Sequence, residues 1–187
     1  MSIPNLITLA RVISVPVIFW LLVTDQTQLA FILFVVAGIS DAVDGYLAKR
    51  FDWATELGAY LDPLADKLLI VSVFVALGLN GDLPSWLVIA VVTRDLLIIA
   101  AVVLSWLLAA PVRIKPLIVS KANTLVQIVL AATVLADQGY DLGLGSLRWV
   151  LIWLTAAFTV ASLAAYLQSW LRHMSGAESS SSERPTP

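Results

Sequence analysis

Along this chain the apolar residues neither alternate nor form one narrow helical stripe; they run in long blocks separated by short polar breaks. Six blocks stand out: Leu6–Val23, Leu29–Leu47, Leu57–Leu79, Leu83–Ala109, Ser120–Ala136 and Leu147–Leu171. Each reaches or nearly reaches the roughly 20 mostly apolar residues that an α-helix needs to cross a hydrocarbon core about 30 Å thick. The breaks Thr24-Asp25-Gln26-Thr27, Asn80-Gly81-Asp82 and Asp137-Gln138-Gly139-Tyr140-Asp141 are rich in residues that stop helices. The break after the fourth block is different in kind, because Pro111, Arg113, Lys115 and Pro116 make it basic. The pattern predicts an all-α integral membrane protein with six transmembrane helices.

Composition strengthens that expectation. Of 187 residues, 60% are hydrophobic and 13% charged, with a mean hydropathy of +0.93. Soluble chains average roughly 45–50% apolar and about 25% charged residues, so both departures point to lipid as the solvent. The formal net charge of -2 decides little. Charge placement decides more, because basic residues in short loops set topology. Alternate loops put Lys49, Arg50, Arg113, Lys115 and Lys121 on one side, with Arg172 after the last block, and so both termini are expected in the cytoplasm. The stretch Ile13–Val23 lacks the basic flank and small-residue cleavage site of a signal peptide and reads as a retained helix. The expected location is the inner (cytoplasmic) membrane of a bacterium, and no nucleic-acid partner is expected. Trp20, Trp53, Trp86, Trp106 and Trp170 lie near block ends, where tryptophans anchor helices at the interface. Residues 1–174 form the membrane domain. The Ser-, Glu- and Pro-rich segment 175–187 is expected to be a disordered cytoplasmic tail. The absence of cysteine excludes disulfides, thiolate zinc sites and cysteine nucleophiles.

Against this background the charges within or beside apolar blocks matter most: Arg11, Asp41, Asp44, Asp62, Asp66, Lys67, Arg94 and Asp95. A charge at the bilayer centre costs roughly 2.5–3.5 kcal/mol on insertion scales, so a set of them must meet one another, water or ions. The densest run is Asp41-Ala-Val-Asp44-Gly45-Tyr-Leu-Ala48-Lys49, followed by Gly58-Ala-Tyr-Leu-Asp62-Pro-Leu-Ala-Asp66. Positions three, four and seven apart share a helix face, which aligns Asp41, Asp44, Gly45 and Ala48 on one helix and Gly58, Asp62 and Asp66 on the next. A short connection between these helices makes them antiparallel neighbours and lets the carboxylate pairs converge. Small residues on the same faces leave room for a ligand. Four nearby carboxylates repel, and hard oxygen ligands favour magnesium, manganese or calcium. Two divalent ions would balance them, and paired metals about 3.5–4 Å apart serve displacement at phosphorus. Phosphoryl or phosphodiester transfer is the reaction class expected, in a polar cavity facing the cytoplasm.

The spacing D-x-x-D-G-x-x-A-[K/R]-x8-G-x-x-x-D-x-x-x-D resembles the signature of the CDP-alcohol phosphatidyltransferase family. Ile3-Pro4-Asn5-Leu6-Ile7-Thr8-Leu9-Ala10-Arg11 is similar to the opening of its phosphatidylglycerophosphate synthase and eukaryotic-type cardiolipin synthase branch. The resemblance implies two divalent cations, Mg2+ or Mn2+, on Asp41, Asp44, Asp62 and Asp66, with Asp66 also the general base. It implies CDP contacts from Asn5, Thr8, Gly45, Ala48, Lys49 and Gly58. Lys49 stands where the family usually has arginine; it keeps the charge and loses the planar fork. The implied reaction moves a phosphatidyl group from CDP-diacylglycerol to an acceptor hydroxyl and releases CMP. Arg94, Arg113 and Lys121 would hold the acceptor phosphate. The stretches around Thr93-Arg94-Asp95 and Lys115–Gln127 are similar to the cardiolipin synthases, and Asn123 stands where the glycerophosphate branch typically has a second lysine. Phosphatidylglycerol is therefore the favoured acceptor and glycerol 3-phosphate the alternative. A homodimer is also implied.

Two rival functions fit parts of the pattern. In a cation channel or proton-coupled transporter the aspartates would line a conduction route. The embedded charges stop short of a continuous path, however, and the sixth block has none. A non-catalytic lipid-binding relative would have no need of all four aspartates.

Overall fold

The polar breaks around Asp25, Gly81 and Asp141 become turns between helices. The structure, a computed structural model, describes the backbone of residues 3–51, 56–107 and 118–181 and, within them, the side chains of residues 9–41, 43, 65–100 and 119–168. These residues form α1 (Ile3–Val23), α2 (Thr27–Phe51), α3 (Glu56–Leu79), α4 (Ser85–Leu107), α5 (Ile118–Tyr140) and α6 (Gly145–Ser181). The shortest, α1, has 21 residues, and at about 1.5 Å per residue it spans about 31 Å. Among the described residues, two stretches meet both the length and the hydropathy required to cross a membrane, Val119–Tyr140 and Gly145–Gln168. Leu9–Val23 and Thr27–Asp41 are shorter apolar stretches of the same kind. The α6 backbone continues past Ser175 to Ser181, so the helix enters the segment expected to be disordered. A helix already nucleated upstream extends at low cost through a run such as Gly176-Ala177-Glu178.

Three described turns close one end of the molecule. After α1, Asp25 adopts φ 58° and the Gln26 N–H donates to the Leu21 carbonyl at 2.8 Å, the six-to-one bond of a Schellman cap. Gly81 does the same after α3 at φ 81°, with the Asp82 N–H reaching the Leu77 carbonyl at 2.8 Å. After α5, Asp141 adopts φ 53°, and the Asp137 carboxylate accepts from the Leu144 N–H at 2.8 Å. Side chains tie these turns together. Asn80 Nδ2 donates to the Leu22 carbonyl at 3.0 Å, Gln28 Nε2 to the Gly139 carbonyl at 2.7 Å, and Gln138 Nε2 to Asp82 at 2.6 Å.

Among the described residues the helices form a closed ring in the order α1, α2, α5, α6, α4, α3, with α3 also touching α5 across it. Ile18, Leu22, Phe34, Val73, Phe74, Leu77, Leu87, Val91, Leu130, Val134 and Ile152 fill the interior. The expectation that α2 and α3 pack directly on each other is not met among these residues; α1 touches both and stands between them. The physical reason lies in the charges, since two acidic helix faces repel and α1 supplies a cation to separate and join them.

The exterior is more apolar than a water-soluble bundle tolerates. Ile13, Trp20, Ile39, Ile89, Leu96, Val150, Trp153 and Val160 are all exposed, while Arg11, Arg94, Asp95, Asn123, Gln127, Thr155, Thr159 and Ser162 are buried. Large single exposed apolar residues are ordinary, but an apolar surface around a polar interior suits lipid. Trp20 and Trp86 sit exposed near helix ends as expected of anchors, and the Trp86 ring stacks at a tilt on Trp153 at 5.7 Å. The side chains of Trp53, Trp106 and Trp170 lie outside those described.

Candidate functional site

Arg11 lies on α1 about two turns from its start and is only 3% exposed. An arginine keeps its proton in any protein environment, so a charge buried this deeply must be met by acids. It is met from two helices at once. Nη2 lies 2.6 Å from Asp41 Oδ1 on α2, and Nη1 donates to Asp66 Oδ1 on α3 at 2.8 Å. The two carboxylates keep 41% and 37% of their side-chain surface exposed, which leaves them open to a further ligand. All three residues line a cavity of about 360 Å³ between α2, α3 and α5. Its other walls are largely apolar, with Phe34, Ile39, Leu69, Ile70 and Ile128 among them. A charged cluster in the wall of an otherwise apolar cavity suits an amphipathic ligand.

Of the four aspartates expected at the site, the structure thus brings Asp41 and Asp66 onto one shared cation. Asp44 and Asp62 stand on the helical backbone of α2 and α3 within one turn of them, but their side chains lie outside the described residues. The side chains of Asn5, Thr8, Gly45, Ala48, Lys49 and Gly58, and the whole of Arg113, are likewise outside. No set of three acidic or histidine side chains gathers among the described residues, which include only two of the four aspartates. Two carboxylates from different helices already share a cation here, and hard oxygens are what Mg2+ or Mn2+ prefers.

A second cluster holds the other buried charges. Arg94 on α4 is 0% exposed, and all three guanidinium nitrogens are engaged. Nη1 contacts the Asp95 carboxylate, Nε donates to Ser162 at 3.2 Å, and Nη2 donates to Ser162 at 2.6 Å and to Ser120 at 2.7 Å. Lys67 Nζ, next in sequence to Asp66, donates to the same Asp95 oxygen at 2.8 Å. This network ties α3, α4, α5 and α6 together. From it a polar ladder descends between antiparallel α5 and α6. Ser120 and Ser162 share Arg94, Thr159 donates to Asn123 at 3.1 Å, and Gln127 and Thr155 form the next level. Among the described residues, the Gln127 amide atoms, Asn123 Nδ2 and Thr155 Oγ1 are buried without a partner. Below them Leu130 and Ile152 make the seam apolar. Lys121 is exposed near the start of α5, outside this ladder.

Sequence reasoning placed no role on Arg11. The signal was present, since an arginine within an apolar helix needs a partner, but nothing local says which acids it will meet.

A sequence model described as CDP-alcohol phosphatidyltransferase matches residues 1–161, a span that holds Arg11, all four aspartates and Arg94. The chain is 33% identical over 181 residues to a Homo sapiens protein named cardiolipin synthase (CMP-forming), covering 87% of this chain and 59% of that protein. It is 35% identical over 184 residues to a chloroplastic CDP-diacylglycerol--glycerol-3-phosphate 3-phosphatidyltransferase of Oryza sativa, covering 89% and 56%. It is 28% identical over 173 residues to a similarly named Rickettsia bellii transferase, covering 90% and 94%. The chain therefore spans little more than half of the human and rice proteins and nearly all of the rickettsial one.

Proposed function

We propose, for a chain that belongs to the CDP-alcohol phosphatidyltransferase family, that it transfers the phosphatidyl group of CDP-diacylglycerol to an acceptor hydroxyl and releases CMP. The observation that carries this reading is the meeting of Asp41 and Asp66 on one cation in the wall of a largely apolar cavity. A soluble nucleotide enzyme has no use for an apolar chamber below its charged groups. A lipid-linked diphosphate needs both.

In this reading all six helices cross the membrane, and the site opens on the cytoplasmic side. The run of basic residues at that end supports the orientation, and the lipid-suited exterior supports the embedding. Asp41, Asp44, Asp62 and Asp66 would hold two divalent ions, Mg2+ or Mn2+, which would polarise phosphoryl oxygens for displacement at phosphorus. The protein's own part is orientation and proton transfer. Asn5, Thr8, Gly45, Ala48, Lys49 and Gly58 would contact the CDP moiety, as the resemblance implies. The acceptor oxygen forms its bond to the phosphatidyl phosphorus as the bond from phosphorus to the CMP oxygen breaks. The proton leaving the acceptor passes to Asp66.

Arg113 and the exposed Lys121 are the cations best suited to hold an acceptor phosphate. Arg94 can join them only by exchanging Ser120 or Ser162 for the phosphate, because every nitrogen of its guanidinium is already engaged. The favoured acceptor is phosphatidylglycerol, on the likeness to the human protein. Glycerol 3-phosphate is the second reading, favoured by the rickettsial relative that this chain matches over 94% of its length.

The test is purified protein with CDP-diacylglycerol and Mg2+ or Mn2+, offered phosphatidylglycerol, glycerol 3-phosphate, inositol phosphate and serine separately, with CMP release measured. Metal-dependent CMP release with one acceptor is expected, and Asp66→Asn should lower it about 10²–10⁴-fold. Ion flux in proteoliposomes without CMP release would replace this reading with the channel.

A further inference from the structure

Arg11 is the buried cation that the proposed reaction leaves without a task. Three features set it apart from an ordinary structural arginine. Its fork is split between acids on two different helices, one nitrogen to each, where a tight structural pair commonly sets both nitrogens on one carboxylate. It is under-satisfied among the described residues, because Nε has no acceptor there and Nη2 lies close to Asp41 without the alignment of a hydrogen bond. It also lines the cavity together with the two acids, so a change of partner requires no passage through the core. Arg94 offers the contrast, being buried with all three guanidinium nitrogens in contact with partners.

We propose that Arg11 is the internal counter-ion of the acidic site: it holds Asp41 and Asp66 together when divalent cations are absent and yields their oxygens when metal binds. The inference rests on the metal-dependent reading above. Its logic is charge. Four carboxylates and two divalent ions cancel, and Arg11, which stays protonated, is then an uncompensated charge in the wall of a largely apolar cavity. The anion that relieves it is a phosphate group of the bound nucleotide-linked lipid. Arg11 thus keeps α1, α2 and α3 assembled without metal and opposes metal binding by like charge. With metal in place it favours the anionic substrate.

The test uses detergent-solubilised full chain and three substitutions. Arg11→Met and Arg11→Gln remove the charge, and Arg11→Lys keeps it. Manganese affinity is read from the free Mn2+ electron paramagnetic resonance signal during MnCl2 titration, and thermal melting is followed in EDTA. Both neutral variants are expected to melt lower than wild type in EDTA, to bind Mn2+ about tenfold more tightly, and to need more CDP to reach half-maximal binding. Arg11→Lys should stay near wild type in both measurements. Wild-type manganese affinity, or weaker, in whichever neutral variant folds would overturn the proposal while leaving the metal reading intact. If the wild type itself binds no Mn2+, the metal reading fails and this proposal with it.

Discussion

Replacing Asp95 by asparagine removes a charge and almost no volume from a residue that is 1% exposed. One Asp95 oxygen takes Lys67 Nζ at 2.8 Å and Arg94 Nη1 together, so the substitution deprives two cations of their shared acid. The consequences for the two differ. The Lys67 side chain is 22% exposed and can extend toward water, whereas Arg94 is fully buried and would retain only neutral acceptors, the new amide oxygen and the hydroxyls of Ser120 and Ser162. Removing one partner of a buried pair costs roughly 3–5 kcal/mol, and with Lys67 able to escape, the lower end, about 3 kcal/mol, is expected. That is about a hundredfold in the folding equilibrium. Denaturation by SDS in mixed micelles, followed by tryptophan fluorescence, reads the change. The double variant Arg94→Met with Asp95→Leu should recover most of the loss, because a well-packed apolar pair replaces a buried ionic one at little cost. A single variant within about 0.5 kcal/mol of wild type, or a double variant no better than the single, would refute the argument that Asp95 neutralises Arg94.

Further outcomes follow from particular contacts. A Cβ on Gly78 would meet Val88 Cγ2 at 2.9 Å, so Gly78→Ala should destabilise the α3–α4 packing by about 1–2 kcal/mol despite its helix propensity, and Val88→Ala in the same chain should restore it. Burial pushes the Asp82 carboxyl above its usual range, with Arg148 opposing the shift and Asp25 adding to it. Its folded-state pKa therefore exceeds the unfolded one, and the stability it confers is full at acid pH and lost as pH rises through the folded value. Asp82→Asn should accordingly raise the melting temperature at pH 7 by more than at pH 4; an equal effect at both would show that ionisation is not the cause. Gln127 has both amide atoms buried without protein partners, so Gln127→Leu should leave stability unchanged or raise it by up to about 1–3 kcal/mol in the same SDS titration. A clear loss would mean that ordered water satisfies the amide.

Much of the architecture was legible because it depends on local chemistry. The six apolar blocks became six helices, and their polar breaks at Asp25, Gly81 and Asp141 became the positive-φ turns between them. The spacing of Asp41 with Asp44 and of Asp62 with Asp66 put each pair on one helix, a property of 3.6-residue periodicity alone. The order of the helices around the ring was not legible. In a soluble helix an apolar stripe marks the face that packs, but here lipid-facing and core-facing positions are both apolar, so the stripe that would name each helix's neighbours is missing.

For the same reason the chain alone paired the acids of α2 and α3 directly, whereas the fold put α1 between them and assigned them Arg11, which lies 55 residues from Asp66 in sequence. In sequence Arg94 reads equally as a cation for the acceptor phosphate or as a buried partner of Asp95; only the fold brings Ser120 and Ser162, from α5 and α6, around it. Sequence determines which charges must be compensated, because embedding an ion in apolar surroundings is costly wherever it lies. Which groups compensate them is decided by helices meeting across the bundle, and that long-range matching of shapes leaves no periodic mark on the chain.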